Sequence, residues 1–274
     1  MTAYYNEFDP FAAAWLRELI KAGLISNGDV DERSIVDVRP SDLSGYTQCH
    51  FFAGIGVWSH ALRQAGWPDD KPVWTGSCPC QPFSRANTVY GRRGKQDERH
   101  LWPYWKALIA ERKPPVVFGE QVTDAIAGGW MDEVADDMER LDYAVGAATM
   151  PALGIGSPQE RMRLWFVCHA NDERLQGVGI SEAFAGKNGG ISAWGEVAGT
   201  GNPYRGKRWI TKPGLRLLAN GSATHVGRVR GYGNAIVGPL ATAFIQSACE
   251  AIGDLVPAND NHFNRSTSAK ASHA

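Results

Sequence analysis

Hydrophobic positions recur at helical spacing near the start of the chain. Over residues 8–23, Phe11, Trp15, Leu16, Leu19 and Ile20, with Leu24 just beyond, define one face of an amphipathic helix. A polar stretch through Asn27-Gly28 and Arg39-Pro40 reads as a loop and leads to the apolar run 48–52, expected to be a short buried strand. Short strand-like runs then alternate with helical patterns. Helices are predicted over 57–64 (ending at Gly66 and Pro68), 101–112 and 129–141. Strands are predicted over 73–76, 115–119 (ending at Glu120), 143–149 and 163–168. This alternation predicts an α/β fold built on a doubly wound, mostly parallel sheet.

Periodicity fades at Asn171, where Gly, Asn and Ser dominate, and a helical pattern returns over 234–252. The chain therefore divides into an N-terminal helix and linker (1–48) packed on a core (49–170). An irregular segment (171–226), a C-terminal helix returning to the core (227–253) and a disordered tail (254–274) follow.

Composition changes this picture only locally. The chain is 43% hydrophobic and 21% charged, with a formal net charge of −1, so overall charge names no polyanionic partner. Yet no Asp or Glu falls between Gly201 and Cys249, while Arg205, Lys207, Arg208, Lys212, Arg216, Arg228 and Arg230 do. A second basic cluster, Arg85, Arg92, Arg93 and Lys95, precedes Asp97. Each cluster is either a positive face for phosphates or a solvated loop. The five cysteines form no disulfide framework, and Cys78-Pro79-Cys80 lacks the second pair that a zinc site needs. No run resembles a signal peptide or a membrane span, so a cytoplasmic protein with free thiols and no metal is expected.

Candidate chemistry gathers at strand ends, where open α/β sheets bind ligands. Phe52-Ala53-Gly54-Ile55-Gly56 joins a strand to a helix, an arrangement that either admits a nucleotide cofactor or forms a tight turn. Ser77-Cys78-Pro79-Cys80-Gln81-Pro82-Phe83-Ser84 follows the next strand. Cys80 is a candidate nucleophile there, the alternative being a buried cysteine in a rigid proline turn. Glu120 ends a neighbouring strand, and a thiolate beside a carboxyl suits addition to an electron-poor ring. Gln159, Arg161 and Arg163 alternate into a further strand and put cationic donors on one face.

Taken in order, these motifs resemble the DNA cytosine-5 methyltransferase family. The series runs Phe52-Ala53-Gly54-Ile55-Gly56, Pro79-Cys80-Gln81 with Ser84, Asp97-x-Arg99, Gly119-Glu120-Gln121-Val122, Gln159-x-Arg161-x-Arg163 and Gly233-Asn234-Ala235-Ile236-x-x-Pro239. Its compact form is similar to members carried by phages and prophages, where it would protect DNA from restriction. The resemblance implies a fold of the S-adenosylmethionine-dependent methyltransferase type and a flipped-out cytosine in double-stranded DNA as substrate. Cys80 would add to C6 of the base, Glu120 would hold or protonate N3, and C5 would take the methyl group of S-adenosyl-L-methionine. Arg161 and Arg163 would steady the base and the loop 85–97. Phe52, Gly54, Gly56, Pro79 and Asn234 would line the cofactor. Gln81, Ser84, Arg85, Arg92, Arg93, Arg228 and Arg230 would face DNA, with 171–226 as a short target-recognition segment and the protein acting as a monomer.

The chain departs from the family in one large respect. Full-length members place two strand–helix units between the Gly-rich loop and the nucleophile, whose strand ends supply an acid for the cofactor ribose and an Asp for its adenine. Only 23 residues separate Gly56 from Cys80 here. Both units are therefore expected to be missing, leaving a sheet shortened at one edge with the N-terminal helix capping it. Asp69 or Asp70 would then be left to reach the ribose, and Trp67 or Trp74 to stack on adenine. The family's Glu-Asn-Val is also Glu-Gln-Val here. A tRNA cytosine-5 methyltransferase, or a degenerate nucleic-acid-binding protein that keeps the fold, are the competing readings.

Overall fold

In the computed structural model, which describes residues 2–79, 100–157, 161–170 and 235–252, strands and helices alternate along the chain. The order is β1 (Thr2–Asn6), α1 (Pro10–Lys21), β2 (Gly28–Asp31), β3 (Tyr46–Phe51), α2 (Val57–Gln64), β4 (Val73–Gly76), α3 (Trp102–Arg112) and β5 (Val116–Val122). Then come α4 (Asp124–Ala127), α5 (Trp130–Arg140), β6 (Tyr143–Pro151), β7 (Met162–Ala170) and α6 (Gly238–Ala251). Local chemistry sets several ends. The Asp9 carboxylate accepts the N–H groups of Phe11 and Ala12 at 3.0 and 3.1 Å, and Pro10 opens the first turn of α1.

All seven strands form one sheet in the order β2-β1-β3-β4-β5-β7-β6. The first five are parallel, and β7 runs antiparallel to both its neighbours. The α/β class and the mostly parallel sheet are as expected. The shortened edge is not.

Residues 2–31 supply the expected helix as α1 and, unexpectedly, two parallel strands. β1 pairs with β3 from Ala3↔Gln48 to Asn6↔Phe51, and β2 pairs outside it from Ala3↔Gly28 to Asn6↔Asp31. The edge expected to be shortened is thus filled by the segment that precedes the Gly-rich loop. The helix α1 does not cap an edge. It lies on one face, where Leu16 and Ile25 pack with Ala3, Tyr5 and Ala53.

The sheet is covered on both faces. On one, Trp102, Trp105, Leu108 and Ile109 of α3 and Trp130, Val134 and Met138 of α5 pack with Phe51, Trp74, Val117 and Phe166. On the other, Trp58, Ala61 and Leu62 of α2 and Leu240, Phe244 and Ile245 of α6 pack with Phe118, Trp165 and Val167. Gly119 is required here, because a Cβ would lie 2.0 Å from the Phe166 ring.

A buried polar layer joins the N-terminal unit to α2 and β4. The Tyr5 hydroxyl bonds Ser26 O at 2.6 Å and Ser59 Oγ at 3.0 Å, and its ring stacks on His50 at 4.9 Å. His50 Nδ1 meets Thr75 Oγ1 at 2.8 Å. Asp69, a candidate for the ribose, accepts Ser26 Oγ at 2.7 Å and pairs with Arg63 at 2.6 Å. It precedes β4, whereas ligands of such a sheet bind beyond the carboxyl ends of the strands. Trp67 and Trp74 are core residues with 1% and 5% exposure, so neither offers a face to adenine.

Candidate active site

The carboxyl ends of the parallel strands meet along one rim. β3 runs out into Phe52-Ala53-Gly54-Ile55-Gly56, where φ is +51° at Phe52, +55° at Gly54 and +79° at Gly56. These left-handed turns favour glycine, and at Gly56 a Cβ would also press on Leu16 at 3.1 Å. Phe52 takes a positive φ despite its side chain, its ring packed edge-on against Trp105.

Beside this loop, Glu7 follows directly on β1. Its carboxylate accepts the Gly54 N–H at 2.6 Å and the Asp9 N–H at 2.8 Å. The next residue, Phe8, is 73% exposed. At the end of β2, Asp31 accepts the Tyr4 hydroxyl at 2.6 Å and pairs with Arg33 at 2.7 Å. Burial raises the Asp31 carboxyl, but hydrogen bonds from Arg33 and Tyr4 outweigh it and hold the group below its ordinary value.

β4 leads into Ser77-Cys78-Pro79. Cys78 is buried, and burial alone pushes its thiol far up, which disfavours the reactive thiolate at this sulfur. Gln121 donates from Nε2 to Cys78 O at 3.4 Å while its Oε1 accepts the Val122 N–H at 2.9 Å. The amide that replaces the family's Asn thus ties β5 to the turn. Cys80 itself lies outside the described residues, as do Gln81, Ser84, Arg85, Arg92, Arg93, Gln159, Arg228, Arg230 and Asn234.

Glu120 sits within β5 and not after it, because antiparallel pairing with β7 extends the strand to Val122↔Arg163. It is 8% exposed and its Oε1 meets Arg163 Nε at 3.1 Å, a diagonal contact across the two strands. Burial pushes the carboxyl above its ordinary value. The Arg163 and Arg161 charges and hydrogen bonds from Ser77 and Arg163 pull the other way. Arg161, at φ +32°, donates to Ala235 O at 2.7 Å and so draws the start of the C-terminal segment to the same place. Glu120, Arg161 and Arg163 are thereby brought together, with Pro79 on the adjoining strand exit.

Sequence reasoning passed over Glu7, Phe8 and Ser77. The signal for the first two was present: the apolar run Ala3-Tyr4-Tyr5, an acid, then the helix cap Asp9-Pro10. Ser77 carries no such signal, since its significance comes from the register of β4 on β5. Among the described residues no cluster of His, Cys, Asp or Glu could hold a metal, and no helix is long and apolar enough to cross a membrane.

Residues 67–193, which contain this turn, Glu120, Arg161 and Arg163, match the family model for C-5 cytosine-specific DNA methylases. This segment is similar to that family. Among curated relatives, the methylase Type II methyltransferase M.HhaI of Haemophilus parahaemolyticus is 31% identical over 189 residues, covering 55% of this chain and 57% of that protein. Type II methyltransferase M.AplI of Arthrospira platensis is 30% identical over 99 residues, covering 35% and 28%. The chain thus spans little more than half the length of these methylases at most. Among solved structures, DNMT2 of Spodoptera frugiperda is 14% identical with a TM-score of 0.43, over 62% of this chain and 43% of that one.

Proposed function

We propose that this chain is a DNA cytosine-5 methyltransferase that uses S-adenosyl-L-methionine. The observation that carries the reading is the buried Glu120 carboxyl, paired with Arg163 and standing beside the turn that leads into Cys80. Cys80 Sγ attacks C6 of an extruded cytosine, and Glu120 shares or delivers a proton at N3. Electron density that would build up on the ring during attack is relieved at that nitrogen. Arg163 holds the carboxyl in place, and Arg161 ties the region to Ala235. S-adenosyl-L-methionine, when bound, would supply the methyl group that C5 takes, and elimination of the C5 proton with release of the Cys80 thiolate from C6 then restores the aromatic ring.

The residues on the rim fit that cofactor. Glu7 at the end of β1 offers acceptor oxygens to a ribose, the exposed Phe8 ring offers a face to adenine, and the Phe52–Gly56 turn lets a ligand approach the backbone. Asp31 stands at the next strand end, its carboxylate already bonded to Tyr4 and Arg33. With β1 and β2 in the sheet, a degenerate binding protein loses the feature that motivated it.

The test is covalent trapping. Duplex DNA containing 5-fluorocytosine cannot complete the elimination, so incubation with S-adenosyl-L-methionine should leave a Cys80-dependent protein–DNA adduct. A 5-fluorocytosine tRNA serves as the second arm. Trapping on tRNA alone would move the substrate to RNA, and trapping on neither would overturn the enzyme reading.

A further inference from the structure

Trp58 and Ser77 belong to no motif of the resemblance, yet Trp58 bonds Ser77 and Ser77 stands beside Glu120. β4 and β5 pair in parallel with Thr75↔Phe118 and Gly76↔Gly119, so the next step along sets Ser77 beside Glu120. Neighbouring strands lie about 4.8 Å apart, and these two side chains share the face covered by α2. From α2, the Trp58 indole N–H donates to Ser77 Oγ at 3.1 Å.

We propose that Ser77 is a positioning residue for Glu120, and that Trp58 fixes the direction of its hydroxyl. This rests on the reading of Glu120 as the acid that serves the base.

An indole N–H only donates, so at this contact the Ser77 oxygen is the acceptor. The hydroxyl hydrogen is then directed elsewhere, and Ser77 acts on Glu120 as a hydrogen-bond donor. Trp58 has no freedom to release the serine. It is 3% exposed, stacks on Phe118 at 6.3 Å and meets Trp165 edge-on at 5.6 Å. The carboxyl is therefore gripped from two sides, by a guanidinium on β7 and by a neutral hydroxyl on the β4 turn. Among the described residues, the charged groups facing it are Arg163 and Arg161, while α2 contributes the neutral Trp58 donor and α6 packs apolar residues on the same face.

A neutral donor favours the ionised carboxyl without adding charge. It works against burial, in the direction that lets Glu120 give up a proton as well as hold one, which an acid that cycles must do.

The experiment follows the Glu120 carboxyl directly, in the full chain labelled with 13C at the glutamate carboxyl carbons. The resonance lost in Glu120→Gln assigns the group, and its titration is compared in wild type, Ser77→Ala and Ser77→Thr. Ser77→Ala should move the midpoint to higher pH and Ser77→Thr should restore it, an outcome that mere packing at position 77 does not produce. An unmoved or lowered midpoint in Ser77→Ala, or a Thr variant that behaves like Ala, overturns the proposal. Methyl transfer by the same variants separates the two ideas. A slow Glu120→Gln with an unmoved Ser77→Ala titration removes Ser77 alone, whereas a fully active Glu120→Gln removes the acid and the proposal together.

Discussion

The Glu7 carboxylate accepts the backbone N–H of Gly54 at 2.6 Å, joining residues 47 positions apart in the chain. One partner closes β1 and the other lies in the turn that leaves β3. The bond fixes the acid against the Gly-rich turn, where a ribose would need it.

Glu7→Gln keeps the shape of this contact but removes the charge and half the acceptor capacity. Binding of S-adenosylhomocysteine, measured by calorimetry, should weaken about tenfold or more, on the order of 1–2 kcal/mol. Unchanged affinity would place the ribose elsewhere.

Glu120→Gln cannot deliver a proton. Methyl transfer to duplex DNA should slow by about 10²- to 10⁴-fold while DNA affinity, read by gel shift, stays within a few-fold of wild type. A variant that methylates at the normal rate would mean that another group serves the base.

His50 should contribute to acid sensitivity. Burial pushes it down to about 3, so the folded chain keeps this ring neutral while the unfolded chain protonates it near 6.5. Between those values the unfolded state binds the extra proton. Stability should therefore fall as pH drops from about 6.5, by at most about 1.4 kcal/mol per pH unit. Chemical denaturation at pH 7.5 and 5.0 should show a smaller difference for His50→Gln than for wild type, and equal differences would count against it.

Gly119 lies against the Phe166 ring, one residue before Glu120. Gly119→Ala should cost about 1–3 kcal/mol by overpacking, and adding Phe166→Leu should recover part of that loss. Melting temperatures of the two variants decide the matter, additive losses being the adverse result.

Much of the fold was legible in sequence because its punctuation is strong. The helix over 57–64 and the strand over 73–76 coincide with α2 and β4, bounded by Gly56, Gly66 and Pro68. β1 and β2 were not legible, and the reason is physical. Gly28-Asp29-Val30-Asp31 has one apolar residue and low strand propensity, and its extended form comes from pairing with β1. Likewise Glu120 and the two arginines announced themselves by motif. Ser77 and Trp58 did not, because what joins them to the carboxyl is strand register and a helix packed on the same face.

The order of units along the chain also has a consequence during synthesis. β1, α1 and β2 are complete by Asp31, so this parallel unit leaves the ribosome before β3 and the strands that follow it. Its inner edge, the side of β1 that β3 covers through Asn6↔Phe51, stays bare until residues 46–51 are made. At this side of the sheet chain order thus runs from the edge inward, and β3 is added to a template that already carries Glu7.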